Sequence, residues 1–152
     1  ARDVGHVAGQ PDGGVLSDAW SMMSGMSGLP STGWWGVVLD SPNPPELARF
    51  YARLLGWTVS KAEPDWATVN PSEGTAYIGC HVSEKYVRPV WPPEEGKQQQ
   101  MLHLDVGVSD LASAVAHAVE AGATPAEFQP QEDVRVMLDP DGHPFCLYLD
   151  TS

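Results

Sequence analysis

A strand–helix–three-strand pattern occurs twice in this 152-residue chain, and that recurrence constrains the fold more than any other feature. In the first copy, Trp35-Gly-Val-Val-Leu-Asp40 is β-rich and runs into the turn-forming Ser41-Pro-Asn-Pro-Pro45. Asn43 stands where an N-cap belongs, ahead of Pro44, Pro45 and Glu46. Leu47, Phe50, Tyr51, Leu54 and Leu55 then recur at helical spacing, and Gly56 stops the helix. Strands are expected at 57–61, 66–70 and 77–82. The second copy starts with a strand at 101–106. Ser109 or Asp110 caps a helix whose inward face is Leu111, Val115, Ala118 and Val119, and Gly122 ends it. Strands are expected at 127–129, 134–138 and 145–149, the last two joined by the turn Asp139-Pro-Asp-Gly-His143.

A single unit of this kind is too small to bury its own sheet face, so two copies imply a paired architecture. The fold class is therefore α+β: two βαβββ repeats, 34–85 and 101–150, joined by the proline-punctuated loop 86–100. They are expected to form a curved mixed sheet with a central cleft, and each helix covers the face turned away from it. Residues 1–33 hold 7 of the 15 glycines and follow neither a strand nor a helix period, so they read as a flexible arm. Met22, Met23 and Met26 are candidate native starts, which would make residues 1–25 partly foreign to the natural protein.

Charge narrows the partners. The chain carries 8 Lys+Arg against 20 Asp+Glu, a net charge of −12. No two basic residues are adjacent, which argues against nucleic acid, and an anionic membrane surface is excluded on the same electrostatic ground. No apolar run is long enough to span a bilayer, and no signal peptide is visible. Two cysteines make no disulfide framework, so a reducing cytoplasmic setting is expected. The arm accounts for −2 of the charge, from Arg2 against Asp3, Asp12 and Asp18. The acidity thus belongs to the folded part and favours a cationic or aromatic small molecule as partner.

At the level of motifs, residues 37–57 (Val37-Val-Leu-Asp-Ser-Pro-Asn-Pro-Pro-Glu-Leu through Leu54-Leu-Gly-Trp57) form one recognisable block. His103-Leu-Asp-Val-Gly-Val-Ser-Asp-Leu111 and Asp139-Pro-Asp-Gly-His-Pro-Phe145 are two others. This ordered set resembles the vicinal oxygen chelate superfamily, which includes glyoxalases, extradiol dioxygenases and bleomycin-resistance proteins. The stretch from Tyr86 to Pro92, followed by Gln98 to His103, is similar to its actinobacterial glyoxalase-like branch. The resemblance implies a divalent metal held by four side chains, from the first and last strands of each repeat. Mapped onto this chain, those positions fall on Gly36, His81, His103 and Cys146. Gly36 offers no donor and Cys146 replaces the usual glutamate.

Two readings of this broken set remain open. In one, His81, His103 and Cys146 line the cleft with ordinary hydrogen bonds and no cofactor is bound. In the other, they hold zinc, which accepts mixed nitrogen and sulfur donors, with a fourth ligand from water or a partner chain. The first reading implies a binding protein of the glyoxalase/bleomycin-resistance type, working as a homodimer with its pocket between chains. The second implies a metal-dependent lyase or dioxygenase with atypical ligands. A third possibility is an assembly module acting through the arm. Trp35, Trp66 and Trp91 are the candidate aromatic walls of a binding cleft, and Trp57 is assigned to the core. Alternation puts Cys80 on the opposite face from His81, toward the helix, so no Cys80–Cys146 disulfide is expected. His143 is expected to bond within its turn. His117, Arg49, Arg53 and Glu120 read as solvated.

Overall fold

The structure is a computed structural model, and residues 33–151 are described. The arm assigned to 1–33 therefore lies outside the described residues except for Gly33. A compact unit begins at Trp35. It contains β1 (Trp35–Ser41), α1 (Pro44–Leu55), β2 (Thr58–Ala62), β3 (Trp66–Asn70) and β4 (Ala76–Val82). The second repeat supplies β5 (Leu104–Val108), α2 (Leu111–Ala121), β6 (Thr124–Pro125), β7 (Val134–Leu138) and β8 (Pro144–Leu149).

The eight strands form two four-stranded mixed sheets, ordered β1-β4-β3-β2 and β5-β8-β7-β6. In both, the first strand of the repeat runs parallel to the last, and the remaining pairs are antiparallel. This is the α+β, two-repeat architecture that the recurrence implies.

The helices form for the reasons visible in sequence, with one difference, at the start of α1. Asp110 Oδ1 accepts from the Ser113 amide at 2.7 Å and caps α2. Asn43 caps α1 by position but makes no side-chain cap bond. Its own amide donates instead to Ser41 Oγ at 2.9 Å, which fixes the chain as it leaves β1. Both helices end on a left-handed glycine, Gly56 at φ 68° and Gly122 at φ 118°, a conformation that costs any residue with a Cβ.

α1 buries Leu47, Ala48, Phe50, Tyr51 and Leu54 against Ala67, Val69, Ile78 and Cys80 of its sheet. α2 is sparser. It buries Ala118 and Ala121, while Val119, read above as inward, is 47% exposed. The helix interface explains two polar side chains read as solvated. Arg53 donates to the Ala121 carbonyl from Nη2 at 2.9 Å, and His117 Nε2 bonds the Leu54 carbonyl at 3.1 Å. Helix-terminal carbonyls lack partners within their own helix, so a side chain of the facing helix supplies one.

The strand expected at 127–129 is also corrected. The pairing strand is the two-residue β6, and Gln129 contributes its side chain rather than its backbone. Its Oε1 accepts from the Val136 amide at 2.8 Å, and its Nε2 donates to the Val136 carbonyl at 2.9 Å. The side-chain amide thus serves the edge of β7 as a strand's backbone would. The strand expected at 101–106 starts at Leu104, which leaves His103 just ahead of it. No helix is long and apolar enough to cross a membrane among the described residues.

Candidate functional site

Strand alternation gives each sheet a covered face and an open one. On the first sheet, Leu39, Ser41, Ile78 and Cys80 are buried on the helix side. Burial pushes the Cys80 thiol up to about 12, with Asp139 and Asp141 adding to the effect, so it is an inert core group. Both cysteines are free, and Cys80 and His81 take opposite faces as alternation requires.

The open face of the first sheet presents Gly36, Val38 and Asp40 from β1, opposite Tyr77, Gly79 and His81 of β4. Trp66 of β3 lies opposite His81. The glycines are there because rings lie over them. A Cβ on Gly36 would sit 2.6 Å from the Tyr77 ring and 2.5 Å from its carbonyl oxygen. A Cβ on Gly79 would sit 2.8 Å from the Trp66 ring. Trp66 and His81 stand with ring centroids 6.2 Å apart, and His81 Nδ1 lies 3.9 Å from Asp40 Oδ1. Two aromatic rings, an imidazole and a carboxylate therefore share one face.

The open face of the second sheet repeats the geometry with other residues. Asp105 pairs with Cys146 and Gly107 with Tyr148 in the parallel β5–β8 register. Here Tyr148 approaches its glycine with the phenol end: a Cβ on Gly107 would be 2.9 Å from the hydroxyl. His103 Nε2 is 3.2 Å from Asp105 Oδ1. One donor atom from each of His103, Asp105 and Cys146 lies within 4.8 Å of the others, and His81 is not part of this group. Burial raises the Cys146 thiol, and the charge and hydrogen bond of Asp105 raise it further. Left to itself, such a thiol is protonated and a poor nucleophile; a bound cation would reverse that balance.

These donors answer the four-ligand expectation. A quartet does not fit, because Gly36 has no donor and the Tyr77 ring fills the space a side chain there would need. Among the described residues, the one group that could hold a metal ion is a three-donor set of imidazole, carboxylate and thiol on the second sheet. The sequence reading missed Asp105, although it stands two residues from His103 and so on the same face.

The candidate tryptophans separate. Trp66 lies on the open face of the first sheet. Trp35 lies in register with Ala76 on the helix side and is 62% exposed. Trp91 is in the connecting loop, where its indole N–H donates to the Phe128 carbonyl at 3.1 Å. Trp57 packs against the core as expected. A cavity of about 330 Å³ opens beside β1. Val38 and Asp40 form one wall, the loop from Ser83 to Leu102 another, and His143 closes it.

The family model for the glyoxalase-like domain matches residues 36–148. The chain belongs to this family, within the vicinal oxygen chelate superfamily. Solved structures agree on the fold. A glyoxalase/bleomycin resistance protein/dioxygenase family enzyme from Burkholderia phytofirmans superposes with a TM-score of 0.53 at 18% identity, covering 74% of this chain and 94% of its own. A possible glyoxalase from Bacillus cereus gives 0.55 at 11% identity, covering 78% and 99%. A glyoxalase family protein from Enterococcus faecalis gives 0.52 at 17% identity, covering 79% and 98%. No curated protein matches the chain. At these identities the likeness is one of fold, and this glyoxalase-like domain must be read for function from its own residues.

Proposed function

We propose that this glyoxalase-like protein binds a small cationic aromatic molecule on the open face of its first sheet. The observation that carries the reading is the pair of rings laid over Gly36 and Gly79, with Asp40 opposite His81 at the Trp66 end of the face. Ring faces attract a cation through their quadrupole, and a carboxylate at the edge adds direct charge. The cavity beside Val38 and Asp40 continues this face, and its volume lies at the lower end of small-molecule sites. Tryptophan fluorescence tests the reading with matched cationic and neutral aromatic compounds. The cation should quench Trp66 in the wild type. Asp40→Asn should weaken the cation about tenfold and leave the neutral compound unchanged. Equal affinity for both compounds would reject it.

A second reading rests on His103, Asp105 and Cys146. These three would hold zinc, which accepts this mixture of donors and would act as a Lewis acid toward a substrate oxygen. Zinc binding by competition with a chelating dye, lost in Cys146→Ser, would favour it. The open faces also invite a second copy. β1 and β5 each stand at an edge of their sheet, and the homodimer expected from the resemblance would cover them. Light scattering of the purified chain distinguishes dimer from monomer.

A further inference from the structure

Behind His143, which closes the cavity, the turn 139–143 carries a polar cluster that neither reading uses. Asp139 is 1% exposed, yet four donors reach its carboxylate. The Asp141 and His143 amides both donate to Oδ1 at 2.9 Å, Tyr51 Oη donates to Oδ2 at 2.9 Å, and His143 Nδ1 lies 2.7 Å from Oδ2. With every other contact a donor, Nδ1 must donate too. The opposite nitrogen, Nε2, lies 3.3 Å from Tyr86 Oη. That phenol has one hydrogen, and the Asp141 carbonyl accepts it at 2.7 Å. A carbonyl cannot donate, so Nε2 can bond this phenol without displacing that hydrogen only when Nε2 carries a proton as well. In that state both nitrogens carry hydrogen and the ring is an imidazolium.

The surroundings suit that charge. Burial works against it, but the hydrogen bond and charge of Asp139, then the charge of Asp141, outweigh burial and raise the His143 pKa. The backbone of Asp40 in β1 offers a further acceptor. Asp141 is held by Ser41 Oγ at 2.6 Å. From the loop, Arg88 approaches the same turn: its Nη1 donates to the Pro140 carbonyl at 2.8 Å and its side chain lies over Gly142. The charged and titratable groups around His143 are thus Asp139 and Asp141 on its own turn, Tyr86 and Arg88 from the loop, Asp40 from β1, and Tyr51 from α1 behind Asp139.

We propose that His143 is a proton-operated latch, whose imidazolium fastens the loop 83–102 through Tyr86 to the 139–143 turn and so holds one wall of the cavity. When the ring loses its proton it keeps Asp139 through Nδ1. Its Nε2 then turns a lone pair on an oxygen whose only hydrogen is engaged elsewhere. Tyr86 must either leave Asp141 or draw back, and the cavity wall loosens without any change in the core.

The test uses the full chain without ligand. NMR titration of the His143 ring should give a midpoint above the ordinary histidine value of 6.5 and show both nitrogens protonated below it. Hydrogen exchange of the amides from 84 to 91, corrected for the intrinsic effect of pH, should speed up about tenfold through that midpoint, the order expected from a charge-assisted hydrogen bond. Tyr86→Phe leaves the Asp139 pair intact. It should exchange quickly at every pH while His143 still titrates. His143→Gln should abolish the pH dependence. A neutral ring at pH values below 6.5, loop exchange flat through the titration, or an unchanged pH response in Tyr86→Phe would each overturn the latch.

Discussion

On the first sheet the Tyr77 ring lies over Gly36 and the Trp66 ring over Gly79, so the face is floored with aromatic carbon. On the second sheet Tyr148 meets Gly107 with its hydroxyl, and His103, Asp105 and Cys146 come together as donors. The same strand order, the same parallel pairing and the same glycine–tyrosine cross-strand pair thus give two different surfaces. The repeat fixes which positions face outward. The side chains placed there decide its chemistry, aromatic carbon on one sheet and converging donor atoms on the other.

The comparison can be broken or sharpened by substitution. The largest effect is expected at Asp139, which joins the repeats. Asp139→Ala strands the Tyr51 hydroxyl and an imidazole in the interior and should cost about 3–5 kcal/mol in urea unfolding. Next, Gly36→Ala pushes a methyl against both the Tyr77 carbonyl and its ring. It should cost about 1–3 kcal/mol, whereas Gly107→Ala meets the end of the exposed Tyr148 side chain, with Asp150 Cβ at an ordinary 3.4 Å, and should cost less than about 1 kcal/mol. Equal costs would mean that the two tyrosines are packed alike. Cys146→Ser should weaken zinc binding by at least about tenfold and leave the binding of a cationic aromatic compound unchanged.

The smallest effect is on pH dependence. His143 has a raised pKa in the folded chain, so its stabilisation is complete below the ordinary value of 6.5 and is lost as pH rises through the raised one. Unfolding midpoints should therefore fall between about pH 6 and pH 8, and His143→Gln should flatten that fall. A wild-type curve that rises over this interval would contradict the assignment.

Much of this arrangement was legible before the structure. Leu47, Phe50, Tyr51 and Leu54 declare a buried helix face by spacing alone, and Gly56 and Gly122 mark helix ends by chemistry. Alternation correctly sends Cys80 inward from His81. The site was less legible. His103 and Cys146 are brought together, but His81 stands on the other sheet beside Asp40. Asp105 has no motif of its own, and only strand alternation, two residues on from His103, puts it on the same face. The Tyr77 ring over Gly36 has no local signal, since it depends on β1–β4 register across 41 residues. The Asp139 cluster likewise joins groups far apart in sequence, and Tyr51 looks from its spacing like an ordinary core aromatic. Residues 127–129 read as a strand, and nothing local shows that Gln129 serves the sheet edge with its side-chain amide instead.

The division between the faces is tested most directly by mapping two probes on one isotope-labelled sample. A cationic aromatic compound should shift the Trp66 indole and the Tyr77 and His81 rings while leaving His103 still, and zinc should shift His103 and the residues around Cys146 while leaving Trp66 still. A cationic aromatic compound that moves His103 and Cys146 with Trp66 unmoved would contradict the account.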